Sequence, residues 1–308
     1  MRHIFIINNV VGAGDVSHDV RAYLKMRTDI ESLVFDTEYA GHETKLAAQM
    51  CEVFDDEQIR FYVCGGSGTF ANVLAGIQDM EHTEIAFYPT GISCDILKCF
   101  KGGAAAFRHL DRLIDGSAIQ LDYIDGGAKK ALNTFSAGLD GEVVKWMDFF
   151  RPLSRIHESW AYQMAAFVAF FVRKSFKASV TVDGQVFDGK YLWVYMGNGN
   201  CCGGAFRPIK GARPDDGTAD IFLLERLSIR ESARLMLEMQ KGDTRLLPRY
   251  AEVLQGHHVT ISIQGKNPCV FDYDGDIYME REAKLQLITG GIRFVVPEGT
   301  ELKSFDGI

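Results

Sequence analysis

Four segments of this chain place glycine or proline beside hydroxyl, amide and carboxylate side chains, directly after short apolar runs. Asn8-Asn9-Val10-Val11-Gly12-Ala13-Gly14 is the first, and Asp36-Thr37-Glu38-Tyr39-Ala40-Gly41-His42 the second. Gly65-Gly66-Ser67-Gly68-Thr69 is the third, and Pro89-Thr90-Gly91-Ile92-Ser93-Cys94-Asp95 the fourth. Glycine permits positive φ and close backbone approach, so successive N–H groups can surround a phosphate. A helix N-terminus behind such a turn adds a favourable dipole. Two carboxylate-bearing segments stand further on, Arg213-Pro214-Asp215-Asp216-Gly217-Thr218 and Asp274-Gly275-Asp276. Each turn alone is weak evidence. Gly66-x-Gly68-x-x-Ala71 fits a loose dinucleotide fingerprint, but that fingerprint should follow the first strand of its unit, and no G-x-x-x-x-G-K-[ST] is present. In isolation, residues 214–217 read as a plain turn.

These turns need a parallel sheet to hold them. Residues 3–7, 33–35, 61–63 and 85–88 read as buried strands. Between them Val16, Val20, Tyr23 and Leu24, then Leu46, Ala47 and Met50, then Phe70, Val73, Leu74 and Ile77 fall at helical spacing. Strand and helix in alternation imply a parallel sheet covered on both faces, with ligands at the carboxyl ends of its strands. Beyond residue 125 the pattern becomes period-two, in 178–182, 259–263 and 285–288, with helices near 158–176 and 229–240. The expected fold is α/β: a parallel-sheet nucleotide-binding domain over 1–124, then an antiparallel β-sandwich-like domain over 125–292. The segment from about 293 to 308 is expected to pack back on the first.

Composition narrows the function. The net charge of −8, from 33 basic and 41 acidic residues, argues against a nucleic-acid partner. Seven cysteines without a C-x-x-C pair read as free thiols in a reducing, cytoplasmic setting. Adjacent Cys201 and Cys202 lack the spacing of roughly two to four residues that zinc sites use. The most apolar stretch, 160–172, is too short for the ~20 residues of a spanning helix. It reads as a core helix, with an acyl-pocket role as the alternative, and Phe149, Phe150, Phe167, Phe170 and Phe171 are no better than core residues as pocket candidates. Any membrane contact is expected to be peripheral, at the inner face. A homodimer is left open.

Taken in order, the four turns resemble those of the bacterial diacylglycerol and lipid kinase family, related to sphingosine kinases. That family has Asn-Pro-x-x-Gly, Thr-x-x-x-Gly-His, Gly-Gly-Asp-Gly-Thr and Pro-x-Gly-Thr-x-Asn-Asp. Residues 133–140, 197–199, 213–220 and 274–276 extend the resemblance over nearly the whole chain. It implies ATP-dependent phosphorylation of a lipid alcohol. ATP phosphates would lie on Asn8, Gly12, Gly65, Gly66, Gly68 and Thr69, with Thr37, Pro89, Gly91 and Asp95 nearby. Asp276 would be the base at the family's Asp-Gly-Glu, with Asp274 beside it, and Asp95, Asp122 and Asp274 are family-like acidic positions. A structural Mg2+ would be held by Arg213, Asp216 and Thr218 through two main-chain carbonyls and one carboxylate, as suits that ion.

The departures from the family pattern matter as much. Ser67 stands where the family aspartate helps hold catalytic Mg2+, and a loss of ~4 kcal/mol there would slow turnover about a thousandfold. Asp276 is one methylene shorter than glutamate, and a misplacement of about 1 Å can cost roughly a hundredfold. Ile92 and Cys94 replace a threonine and an asparagine. The alternative function is therefore a catalytically impaired relative that binds nucleotide or lipid as a sensor or carrier. A sugar or NAD kinase relative would not be expected to match the second-domain segments.

Overall fold

Strand β1 (Arg2–Ile7) lies between β2 (Ser32–Asp36) and β3 (Ile59–Gly65), and β3 pairs with β4 (Thr83–Pro89), all parallel, in the computed structural model. Residues 1–8, 16–91, 94–150, 164–165, 168–169, 171–172, 174–203, 206–209 and 211–304 are described. Helices α1 (Val16–Leu24), α2 (His42–Val53) and α3 (Ser67–Gly76) connect the strands. The strands of β1, β3 and β4 are buried on both faces, which is why their sequences run apolar without alternation. From β1 the chain passes first to β2 on one side and then to β3 on the other. The crevice between the ends of β1 and β3 is thus the switch point where open α/β sheets take ligands. A 3-10 turn (Asp95–Cys99) and short helices α4 (Gly103–Ala106) and α5 (Leu110–Ile114) then lead into β5 (Ser117–Asp125).

Antiparallel pairing dominates the rest. Hairpin partner β6 (Lys130–Ala131) is followed by β7 (Thr134–Gly138), α6 (Leu139–Phe150), β8 (Phe176–Val182), β9 (Gln185–Gly197) and β10 (Ala219–Glu225). Then come α7 (Ile229–Gln240), β11 (Ala251–Gly256), β12 (His258–Ile263), β13 (Cys269–Tyr273), β14 (Asp276–Glu280) and β15 (Glu282–Val296). One buried face of these strands forms a core with Phe135, Val180, Met196, Ile261 and Phe271. The other packs Trp193, Tyr195 and Phe222 against α6 and α7. This is the sandwich-like half that period-two spacing predicts. Helix α7 begins with a capping box, Ser228 accepting from the Glu231 N–H and Glu231 accepting from the Ser228 N–H.

Strand β15 runs through both halves. Residues 282–286 pair with β12, residues 286–288 and 292–296 pair with β5, and Arg293, Phe294 and Val295 also lie parallel to β4. Phe294 stacks at 5.6 Å on Phe100 and packs at 6.0 Å on Phe70, in the core of the first half. Further on, the Lys303 N–H donates to the Cys99 carbonyl and the Lys101 N–H to that of Glu301.

The helix expected over 160–172 lies mostly outside the described residues. Of its described members, Ala165 and Ala169 are buried in the same core cluster as Leu139 and Val143, while Phe171 and Val172 are exposed. Phe167 and Phe170 are outside them, as are Gly12, Ile92 and Ser93. No helix among the described residues is long and apolar enough to cross a membrane. The seven cysteines are free and buried.

Candidate active site at the junction of the two halves

The third turn is built by close packing. A Cβ on Gly65 would meet the Thr69 side chain at 2.6 Å, so glycine there lets Thr69 fold back against the strand end. The Gly65 carbonyl accepts from the N–H groups of Thr90 (3.0 Å) and Gly91 (3.3 Å), which binds the fourth turn to the third. On the other side the Asn8 N–H donates to the Cys64 carbonyl at 2.9 Å, and the Thr37 N–H to that of Ile7 at 2.9 Å. The Asn8 amide donates to both Thr69 Oγ1 and Glu43 Oε1, each at 3.1 Å. Asn8, Thr37, Gly65, Gly66, Gly68, Thr69, Pro89 and Gly91 are thus brought together around the switch point. Ser67 is the first residue of α3, whose N-terminal N–H groups face out of the helix toward the turn.

The second half reaches this cradle through its last hairpin. Tyr273 pairs with Asp276, leaving Asp274 and Gly275 as a two-residue loop with φ of 54° and 91°. Positive φ at both positions suits Asp-Gly, whose backbone twist matches that of the flanking strands. A Cβ placed on Gly68 would lie 4.0 Å from the Cβ of Asp276, so the hairpin sets this carboxylate against the head of α3. The Tyr278 hydroxyl donates to Asp276 Oδ2 at 2.7 Å. Lys129 Nζ lies 3.4 Å over the Tyr278 ring and is paired with Glu280. Burial, then the Asp276 contact, pushes the Tyr278 hydroxyl well above its ordinary pKa, which keeps it a donor.

Asp274 is placed differently. Its carboxylate is buried and accepts from the N–H groups of Leu132 (2.6 Å), Asn133 (3.1 Å) and Thr134 (2.8 Å). Burial outweighs these bonds and, with the charge of Asp95, pushes its pKa up to about 6. Asp95 is itself buried and takes a 2.6 Å bond from Lys98 Nζ, which also reaches Cys201 Sγ at 3.6 Å. Asp140, at the head of α6, is raised to about 7 by burial and by Asp95. Asp272 is raised by burial and by Asp140, and accepts from the Gly275 N–H at 2.6 Å. The junction therefore crowds buried carboxyl groups behind Asp276, and the raised pKa values of Asp140, Asp272 and Asp274 favour their neutral, protonated forms.

Arg213, Asp216 and Thr218 stand on a turn held by Asp122. The Asp122 carboxylate accepts from Gly217 N–H and Gly290 N–H, each at 2.7 Å, and its own N–H donates to the Pro214 carbonyl. The Arg213 guanidinium pairs with Asp215, and Asp216 accepts from the Thr218 N–H at 3.0 Å. Asp216 is raised, chiefly by loss of solvent and also by Asp122 and Asp215.

Several of these residues escape a reading of the sequence. Tyr278 has a signal, since residues i and i+2 of a strand share a face. Lys98 has one too, three residues from Asp95 on a tight helix. Glu43, Lys129, Asp140 and Asp272 are placed by tertiary contacts that no local pattern announces. We expect Tyr278→Phe to lower kcat roughly tenfold while leaving nucleotide affinity unchanged, by freeing one Asp276 oxygen. Steady-state kinetics would check this, and an unchanged kcat would remove Tyr278 from the site.

Comparison with known proteins adds an independent line. Residues 2–125 match the diacylglycerol kinase catalytic domain, and residues 133–296 match the YegS C-terminal NAD kinase beta sandwich-like domain. A diacylglycerol kinase of Staphylococcus saprophyticus is 23% identical over 226 residues, 72% of each chain. One of Staphylococcus aureus is 22% identical over 249 residues, 80% of this chain and 76% of that one. A crystal structure of a diacylglycerol kinase from Bacillus anthracis superposes with a TM-score of 0.67 at 18% identity, over 96% of this chain and 97% of the other.

Proposed function

We propose, from the premise that this chain belongs to the diacylglycerol kinase family, that it transfers the γ-phosphoryl group of ATP to the hydroxyl of a lipid alcohol. The observation that carries this is the approach of Asp276 to Gly68. A carboxylate at the end of one half meets a phosphate-type turn at the head of a helix in the other, as an in-line transfer requires. In this reading the substrate hydroxyl oxygen attacks the γ-phosphorus, the bond to the β–γ bridging oxygen breaks, ADP leaves, and the proton passes to Asp276. Tyr278 holds that carboxylate in place, with Lys129 over its ring. Asp274 acts as a positioning residue, because its oxygens are already taken by three N–H groups.

Residues 1–124 with the 293–308 segment would form the nucleotide unit, and residues 125–292 the lipid unit. The pairing of Phe294 with Ile85 in β4 supports that division. Asn8, Gly65, Gly66, Gly68 and Thr69 would cradle the phosphates, with Thr37, Pro89, Gly91 and Asp95 around them. Magnesium, when bound at this cradle, would supply neutralisation of the phosphate charge. A second, structural Mg2+ would be held at the 213–218 turn by main-chain carbonyls and the carboxylate of Asp216, an oxygen set that suits this ion. The carboxylate of Asp216, crowded by Asp122 and Asp215, is the group such a cation would relieve. Exposed Phe149, Phe171 and Val172 support a peripheral contact with lipid.

Ser67 favours a second reading, a relative that binds nucleotide or lipid with little turnover. Transfer from labelled ATP to a panel of diacylglycerols, sphingoid bases and other lipid alcohols, compared between the native chain and Ser67→Asp, separates the two. Native turnover on any lipid supports the kinase and sinks the sensor. Turnover by Ser67→Asp alone supports the sensor, and no nucleotide binding by either protein sinks both.

A further inference from the structure

We propose that Glu43 supplies the anionic ligand for the nucleotide's divalent cation, so that the charge missing at Ser67 is provided from the head of α2 instead of the head of α3. This inference rests on the kinase reading above. Glu43 lies in the first turn of α2 and is 3% exposed. Its Oε1 accepts from the Asn8 amide, whose other hydrogen is directed to Thr69 Oγ1, two residues beyond Ser67. The carboxylate therefore faces the crevice between the ends of β1 and β3, inside the phosphate cradle.

Its second oxygen, Oε2, is buried and has no hydrogen-bond partner among the described residues. No ion pair among the described residues includes Glu43. Other buried carboxylates of this chain show what a purely structural acid looks like. Asp274 has N–H donors on both oxygens, and Asp122 takes one N–H on each. A buried charge is tolerated when it is paired or coordinates a metal, and the N-terminal dipole of α2 relieves only part of the cost. An oxygen aimed at bound polyphosphate would repel it unless a cation stood between them. Hard divalent cations take such oxygen ligands and keep several waters, so one carboxylate with the phosphate oxygens suffices. A neutral serine hydroxyl at position 67 is then compatible with a charged metal site.

Mn2+ is the probe, with binding followed by electron paramagnetic resonance in the presence of a non-hydrolysable ATP analogue. The proteins compared are native, Glu43→Gln, Ser67→Asp and the double variant. Glutamine keeps the acceptor for the Asn8 amide and removes only the charge. The expected result is a Kd for Mn2+ raised at least about tenfold in Glu43→Gln, and recovered in part when Ser67→Asp is added. If Glu43→Gln still binds the analogue and its Mn2+ affinity stays within about twofold of native, the inference falls and the kinase reading stands. Failure of the native protein to bind the analogue at all overturns both. Should Glu43→Gln lose its cooperative melt, native protein carrying 13C-labelled glutamate decides. Broadening of the assigned Glu43 carboxylate at low Mn2+ supports the proposal, and an unperturbed Glu43 signal overturns it.

Discussion

Replacing Asp276 by asparagine should lower kcat by about 10²–10⁴ with little change in KM, the usual contribution of a positioned general base. The amide has nearly the shape of the carboxylate and can still accept the Tyr278 hydroxyl bond. The hairpin turn at Asp274 and Gly275 is untouched, so the change isolates proton transfer from geometry. Single-turnover transfer from labelled ATP to a short-chain diacylglycerol, alongside nucleotide binding, would separate the two effects. A rate within twofold of native would place the base elsewhere. The short side chain at this position need not be a defect. The 2.7 Å bond from Tyr278, stacked under Lys129, fixes a carboxylate whose reach is smaller than glutamate's.

A large effect of a different kind is expected at Asp274. Asparagine accepts the positive φ of 54° with little strain, but it offers one acceptor oxygen where the carboxylate offers two. Some of the Leu132, Asn133 and Thr134 N–H groups would be left buried without a partner, at about 1–3 kcal/mol each. The expected loss is about 2–4 kcal/mol of unfolding free energy at pH 7, read by chemical denaturation. A loss under about 0.5 kcal/mol would contradict it.

The pH dependence of this residue has a definite sign. The folded carboxyl titrates at about 6, above its ordinary value of 3.8, so the native state binds the extra proton between these limits. Its contribution to stability is therefore largest near pH 4 and falls as pH rises through 6. Melting curves from pH 4 to 7 should show a flatter slope in Asp274→Asn than in the native protein. Asp140 and Asp272, raised in the same direction, keep their share of the slope.

Much of this was legible in the residues themselves. The four parallel strands follow from apolar runs without alternation, and the glycine turns follow from their position at the strand ends. The Asp274-Gly275 pair also marks a two-residue hairpin, as does Asp183-Gly184 between β8 and β9, where φ is again positive at both residues. Tertiary placement was not legible. That Glu43 reaches Asn8, or that Asp272 and Asp140 share one interior, depends on elements more than thirty residues apart. The long pairing of β15 with three different partners is equally hidden, because its sequence alternates in its first part and runs apolar only at its end. Local spacing predicts a face, and only packing decides what that face meets.

Strand β15 also has a consequence for the order in which the protein can be made. Without Phe294 and Val295, strand β4 is an open edge and the aromatic core around Phe70 and Phe100 lacks a member. Those residues leave the ribosome only after strands β5 to β14. The nascent first half must wait, with an unpaired edge that is a template for aggregation, until the second half has been synthesised. Completion of the sheet and closure of the crevice beside Asp276 then become one late event, so a chain stopped short of β15 should yield neither a finished nucleotide unit nor an assembled site.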